Sequence, residues 1–216
     1  MNRVTRLIAA VSGAVFAGSF FLPSGYFNTP LQRLKWAMDS VMPLDNLWMS
    51  SAYVAVAVIV LYPYVWALTA VVTNGLTLFR TGRAIAWPQF VCQVIGGTAV
   101  VYVATLLLVS GDTHPSRPVQ IVLIVGPLVL VSAMALGIVF LKPDKRLALI
   151  TALGFLPQIP AQWMVAREVS DPIWGGQPKW GFVMAGVAAA VGFIAASVEL
   201  LRRRPPEFEG AADGLR

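Results

Sequence analysis

Charge is what this chain has least of. Only 12% of its 216 residues are Asp, Glu, Lys or Arg, about half the share of an ordinary soluble domain. It has one cysteine, Cys92, so no intramolecular disulfide can form. It has one histidine, His114, and no cluster of His, Cys and carboxylate residues at metal-ligand spacing. There is no glycine-rich phosphate loop and no G-x-S-x-G, and the lone histidine has no serine partner legible in the sequence. No cofactor, metal or catalytic residue is assigned on these grounds. With 57% hydrophobic residues, the chain also has too little polar surface to cover a water-soluble core. Disorder, nucleic-acid binding and ordinary soluble enzyme chemistry are thereby excluded.

Long apolar runs are what it does have. Six stretches approach the roughly 20 residues needed to cross the hydrocarbon core: residues 7–22, 51–74, 90–109, 119–141, 147–165 and 181–201. None carries a formal charge near its centre, and the only acid in any of them is Glu199, at the end of the sixth. The expectation is an all-α, six-span helical bundle over residues 1–204, in contact with a lipid bilayer. Residues 205–216, rich in Pro, Glu and small residues, read as a disordered tail. A cleaved signal peptide over 1–22 is the rival for the first span; Phe20, Phe21 and Leu22 extend past the small residues Ala17 and Ser19 and favour a retained helix.

Loop charge sets the orientation. One side receives Arg3, Arg6, Arg80, Arg83, Lys142, Lys145, Arg146, Arg202, Arg203 and Arg204, ten basic residues. The other receives five: Arg33, Lys35, Arg117, Arg167 and Lys179. Acids divide evenly. The positive-inside rule then places both termini in the cytoplasm. Arginine outnumbers lysine 12 to 4, Ala, Val and Gly are abundant, and no N-x-[ST] acceptor occurs. A bacterial inner membrane is the expected location.

Between the first two spans, Thr29-Pro30-Leu31-Gln32 reads as a helix start, with Leu31, Leu34, Met38 and Val41 at helical spacing. This predicts a short amphipathic interfacial helix ended near Pro43. A 3+3 inverted repeat is weighed from Pro63-Tyr64-Val65-Trp66 against Pro160-Ala161-Gln162-Trp163, a match short enough to arise by chance.

The remaining polarity is neutral. The fifth span reads Gly154-Phe155-Leu156-Pro157-Gln158-Ile159-Pro160-Ala161-Gln162. Two prolines three apart remove backbone donors in mid-membrane. Gln158 and Gln162, four apart, share a face. Gln93 lies beside Gly96-Gly97, and Trp66 lies near the middle of its span. The candidate intramembrane cluster is therefore Gln93, Gln158, Gln162 and Trp66. It either binds a ligand or holds kinked helices together, and the second role needs less. Glu199 is expected to pair with Arg202 or Arg203 one turn away. His114 reads as a solvated loop residue. The sixth span carries Ala185, Ala188, Ala189, Gly192, Ala195 and Ala196 on one face, suited to close packing within the chain, against a protein partner or in a homo-oligomer. The expected function is that of a non-enzymatic accessory or interaction subunit; the alternative is a small transporter or channel-like protein with a neutral polar site at the broken fifth helix.

Overall fold

A computed structural model describes residues 3–22, 47–79, 86–110, 116–162 and 180–202. Within them the chain is helical, with no strands: α1 (Arg3–Gly18, closed by a 3-10 turn Ser19–Phe21), α2 (Leu47–Phe79), α3 (Trp87–Val109), α4 (Arg117–Phe140), α5 (Pro143–Phe155) and α6 (Trp180–Leu201). The interfacial helix expected near residues 29–43, His114 and the tail 205–216 lie outside the described residues. α3, α4 and α5 each carry a proline in their first two positions, where its missing N–H costs nothing.

Five helices, α1, α2, α3, α4 and α6, are long and apolar enough to cross a bilayer. The fifth expected span, residues 147–165, differs. Its helix α5 ends at Phe155, and helical geometry resumes at Gln158 and runs to Gln162, the last described residue of this span. The last regular bond before the break runs from Leu156 N–H to Ala152 O at 3.0 Å; the first after it runs from Ala161 N–H to Pro157 O at 3.3 Å. Pro157 and Pro160 each remove a donor from this turn, and their rings crowd the preceding carbonyls. A lone proline is tolerated elsewhere: α2 runs unbroken through Pro63 and α4 through Pro127. The two helices that an inverted repeat would pair, α2 and α5, therefore differ in continuity.

The helices form a closed ring in chain order, with α6 returning against α1. Large residues of one helix fill glycine notches of another. The Tyr62 ring sits on Gly96, Trp66 on Gly154 and Phe155 on Gly192, in each case where a β-carbon would overlap the ring. Trp66 and Phe155 meet edge to face, with centroids 4.8 Å apart, at the centre of the bundle. On the flank, Phe16 and Phe20 of the first helix and its turn pack on Tyr64. The Ala/Gly face of α6 (Ala185, Ala188, Ala189, Gly192, Ala195 and Ala196) is buried, and α6 packs against α1 and α5.

Polarity runs inside out. Leu68, Val72, Ile95, Val129, Leu136, Val187 and Ile194 face outward, while Asn74, Gln89, Gln93, Thr151 and Gln158 are buried. A bundle in water does the reverse. Apolar exteriors around hydrogen-bonded interiors suit hydrocarbon as the solvent.

Hydrogen bonds draw four helix ends together. Arg6 Nη1 donates to Thr77 O at the C-terminal turn of α2 (2.7 Å). Lys145 Nζ donates to the carbonyls of Glu199, Leu200 and Arg202 at the end of α6. Both cations occupy helix C-termini, where carbonyls lack helical partners and the dipole favours positive charge. The start of α1, the end of α2, the start of α5 and the end of α6 thus lie at one end of the bundle, called here the first end. Glu199 is buried and accepts from Thr5 Oγ1 of α1 at 3.1 Å. This partner comes from another helix.

Two buried polar layers as the candidate site

The layer nearer the first end is built by α2, α3 and α5. Thr73 and Asn74 are adjacent on α2 and serve different neighbours. Gln89 Nε2 of α3 donates to Thr73 Oγ1 at 2.5 Å, and Thr151 Oγ1 of α5 donates to Gln89 Oε1 at 3.1 Å. Asn74 Nδ2 donates to Ala70 O at 2.9 Å and lies 3.5 Å from Thr151 Oγ1. Thr73 in turn donates to Thr69 O. Gln89, Asn74 and Thr151 have no exposed surface. Among the described residues, Asn74 Oδ1 is the one side-chain atom of this layer without a partner.

The middle layer lies further along the same helices. Gln158, just past the α5 break, donates Nε2 to the Tyr62 hydroxyl at 2.9 Å. Gln93 faces the same hydroxyl from α3, one helical turn before the Gly96 notch that holds the Tyr62 ring. Tyr62 thus joins Gln93 and Gln158, two residues the sequence singled out. Trp66, one turn along α2 from Tyr62, is fully buried against Gly154. Gln162 is buried too, with its β-carbon 3.7 Å from where Gly186 of α6 would place one. Its contact is with α6, so the four expected residues form a central pair bridged by Tyr62, with Trp66 and Gln162 on either flank.

Among the described residues, three polar atoms in and beside this middle layer have no partner: Gln93 Oε1, Trp66 Nε1 and Gln162 Oε1. Two are acceptors and one is a donor. An unpaired buried polar group costs about 1–3 kcal/mol. The layer is therefore chemically competent to hold an uncharged hydrogen-bonding group. It offers no nucleophile–base pair. Among the described residues no three His, Cys, Asp or Glu side chains gather where a metal could sit.

Sequence reasoning missed Gln89, Thr151 and Tyr62. Gln89 follows Trp87-Pro88 and precedes the apolar run 90–109, so it reads as a headgroup residue. Its i,i+4 spacing to Gln93 on one helix face was the available signal. Comparison of the chain with protein-family models, curated proteins and solved structures finds no match.

Proposed function

We propose that the chain is a multi-pass protein of a bacterial inner membrane, with both termini cytoplasmic, acting as a non-enzymatic accessory or interaction subunit. The orientation rests on the ten-to-five distribution of basic residues. The clustering of Arg6, Lys145 and four helix ends at the first end is consistent with it.

One observation carries the interaction reading: α4 turns most of its surface out of the bundle. Of its apolar window 11% is buried, against 44% for α6. Its buried residues are Gln120, Met134 and Gly137. One outward stripe, Leu128, Ser132, Leu136 and Val139, follows helical spacing. Ser132 places a small hydroxyl in the middle of that stripe, chemistry that favours contact with another helix over contact with acyl chains. The small-residue face of α6 is occupied by α1 and α5, so the partner surface proposed is on α4.

The test is site-specific photocrosslinking in cells at native expression. Probes at positions 128 and 136 should give one discrete heteromeric product, lost in Ser132→Leu, while a probe at 187 on α6 gives none. Lipid adducts alone at all three positions would remove the reading; a product of twice the chain's mass would replace it with self-association. Orientation is tested separately with His114→Cys and Asp144→Cys in a Cys92→Ala background. A membrane-impermeant thiol reagent should label position 114 in intact cells and spare 144.

The transporter alternative is favoured by the unpaired atoms of the middle layer. A water-soluble thiol reagent reaching Gln158→Cys or Gln162→Cys from either side would support it, and protection from both sides would remove it.

A further inference from the structure

Beside the middle layer the bundle has a lateral apolar groove. It measures about 630 Å³ and lies between α4 and the broken turn after α5, walled by Val122, Gly126 and Val129 on one side and Leu156, Pro157 and Pro160 on the other. That volume is within the range of small-molecule sites. Nothing lies within 4 Å of the position a Gly126 β-carbon would take, so the groove is open there. The groove and the polar layer are adjacent. Pro157 lines the groove while the next residue, Gln158, bonds the Tyr62 hydroxyl. Gly126 lines the groove while the next residue, Pro127, packs on Gly97, which neighbours the Gly96 that holds Tyr62. The chain passes from groove to layer at the Pro157–Gln158 turn, already without a continuous helical ladder.

We propose that groove and layer form one site for a lipid alcohol, a molecule with a single long apolar chain and one uncharged hydroxyl head. The chain lies in the groove and enters from the bilayer. The head is selected by the unpaired atoms. A hydroxyl both donates and accepts, so it can give its proton to Gln93 Oε1 and receive one from Trp66 Nε1 or the Tyr62 hydroxyl. A carboxylate or phosphate head would bring a charge to a layer that holds no basic side chain, at the depth where charge is most costly. An alkane would leave the polar atoms unpaired. The stripe around Ser132 is not part of the groove, so the interaction reading is separate; the middle layer is shared with the transporter reading, from which this site differs in needing no aqueous path.

The probe is a diazirine-bearing hexadecanol, applied to the full chain in phosphatidylcholine nanodiscs, with adducts mapped by mass spectrometry. Adducts should concentrate on residues 121–130 and 156–160. Excess hexadecanol should suppress them at least fivefold, and equal amounts of hexadecane or palmitate should not. Gln93→Leu should lower the labelling at least fivefold, Gly126→Phe should remove it from the groove, and Gln89→Leu should leave it unchanged. Labelling spread evenly over α4 and the outer face of α6 would overturn the proposal. So would equal competition by hexadecane, or a Gln93→Leu variant that labels like the parent. Gln93→Leu fills its space with an apolar side chain of similar size, so the test does not depend on Gly126→Phe folding.

Discussion

The two polar layers use the same side-chain chemistry and differ in how completely it is paired. Near the first end, Gln89 is bonded through both ends of its amide, to Thr73 and Thr151. Further along the same face of α3, Gln93 has an amide oxygen with no partner although it is as deeply buried. The closed layer draws on three helices packed by continuous backbone. The open one sits where α5 is broken by Pro157 and Pro160, and broken backbone spaces its side chains less regularly. The contrast separates structural polarity from polarity that is available to a ligand. A network in which, among the described residues, Asn74 Oδ1 alone lacks a partner fixes helix register, whereas several unpaired atoms in hydrocarbon are a stability cost that function can offset.

The largest effect should come from breaking both layers at once. Gly154→Leu places a side chain where the Trp66 ring lies, between the layers. We expect a loss of about 3 kcal/mol or more, read as a collapse of monodisperse yield in detergent. Gln89→Leu breaks only the layer near the first end: the Thr151 hydroxyl loses its acceptor, and Thr73 loses a donor while keeping its bond to Thr69 O; a loss of about 1–3 kcal/mol is expected in denaturant unfolding. Tyr62→Phe removes the hydroxyl that Gln158 bonds while keeping the ring in the Gly96 notch. About 1 kcal/mol should be lost, and Gln158→Leu on top of it should cost little more, as a double-mutant cycle would show. The smallest effect is at the first end: Thr5→Val removes one bond to Glu199 and should shift the unfolding midpoint by less than about 1 kcal/mol.

Much of this architecture follows from composition and spacing. Apolar runs mark the helices, Pro157 and Pro160 mark the break, and the Ala/Gly repeat of α6 marks its packing face. Gln93, Gln158 and Trp66 stand out because polar or bulky residues are rare in such runs. What does not follow is the pairing between helices. Tyr62 beside Pro63 reads as one aromatic among several until α3 places Gly96 under its ring. Gln89 reads as interfacial until α2 and α5 bring Thr73 and Thr151 to it. Glu199 has arginines one turn away in sequence and Thr5 beside it in space. In each case the missing quantity is the relative register of two helices, which is set by knobs and notches distributed over both and is not written in either alone. The break inside the fifth expected span has a local reason: hydropathy counts Pro157 and Pro160 as tolerable, while the hydrogen-bond ladder does not.

The difference between the layers is tested most directly by one paired measurement, the unfolding midpoints of Gln89→Leu and Gln93→Leu under the same conditions. The two substitutions are chemically identical and lie one helical turn apart on the same face. A closed and an open layer predict that Gln89→Leu is less stable than the parent by about 1–3 kcal/mol, while Gln93→Leu, relieved of an unpaired oxygen, is as stable as the parent or more so. Equal destabilisation by both would mean that the middle layer is as closed as the other, and would contradict the account.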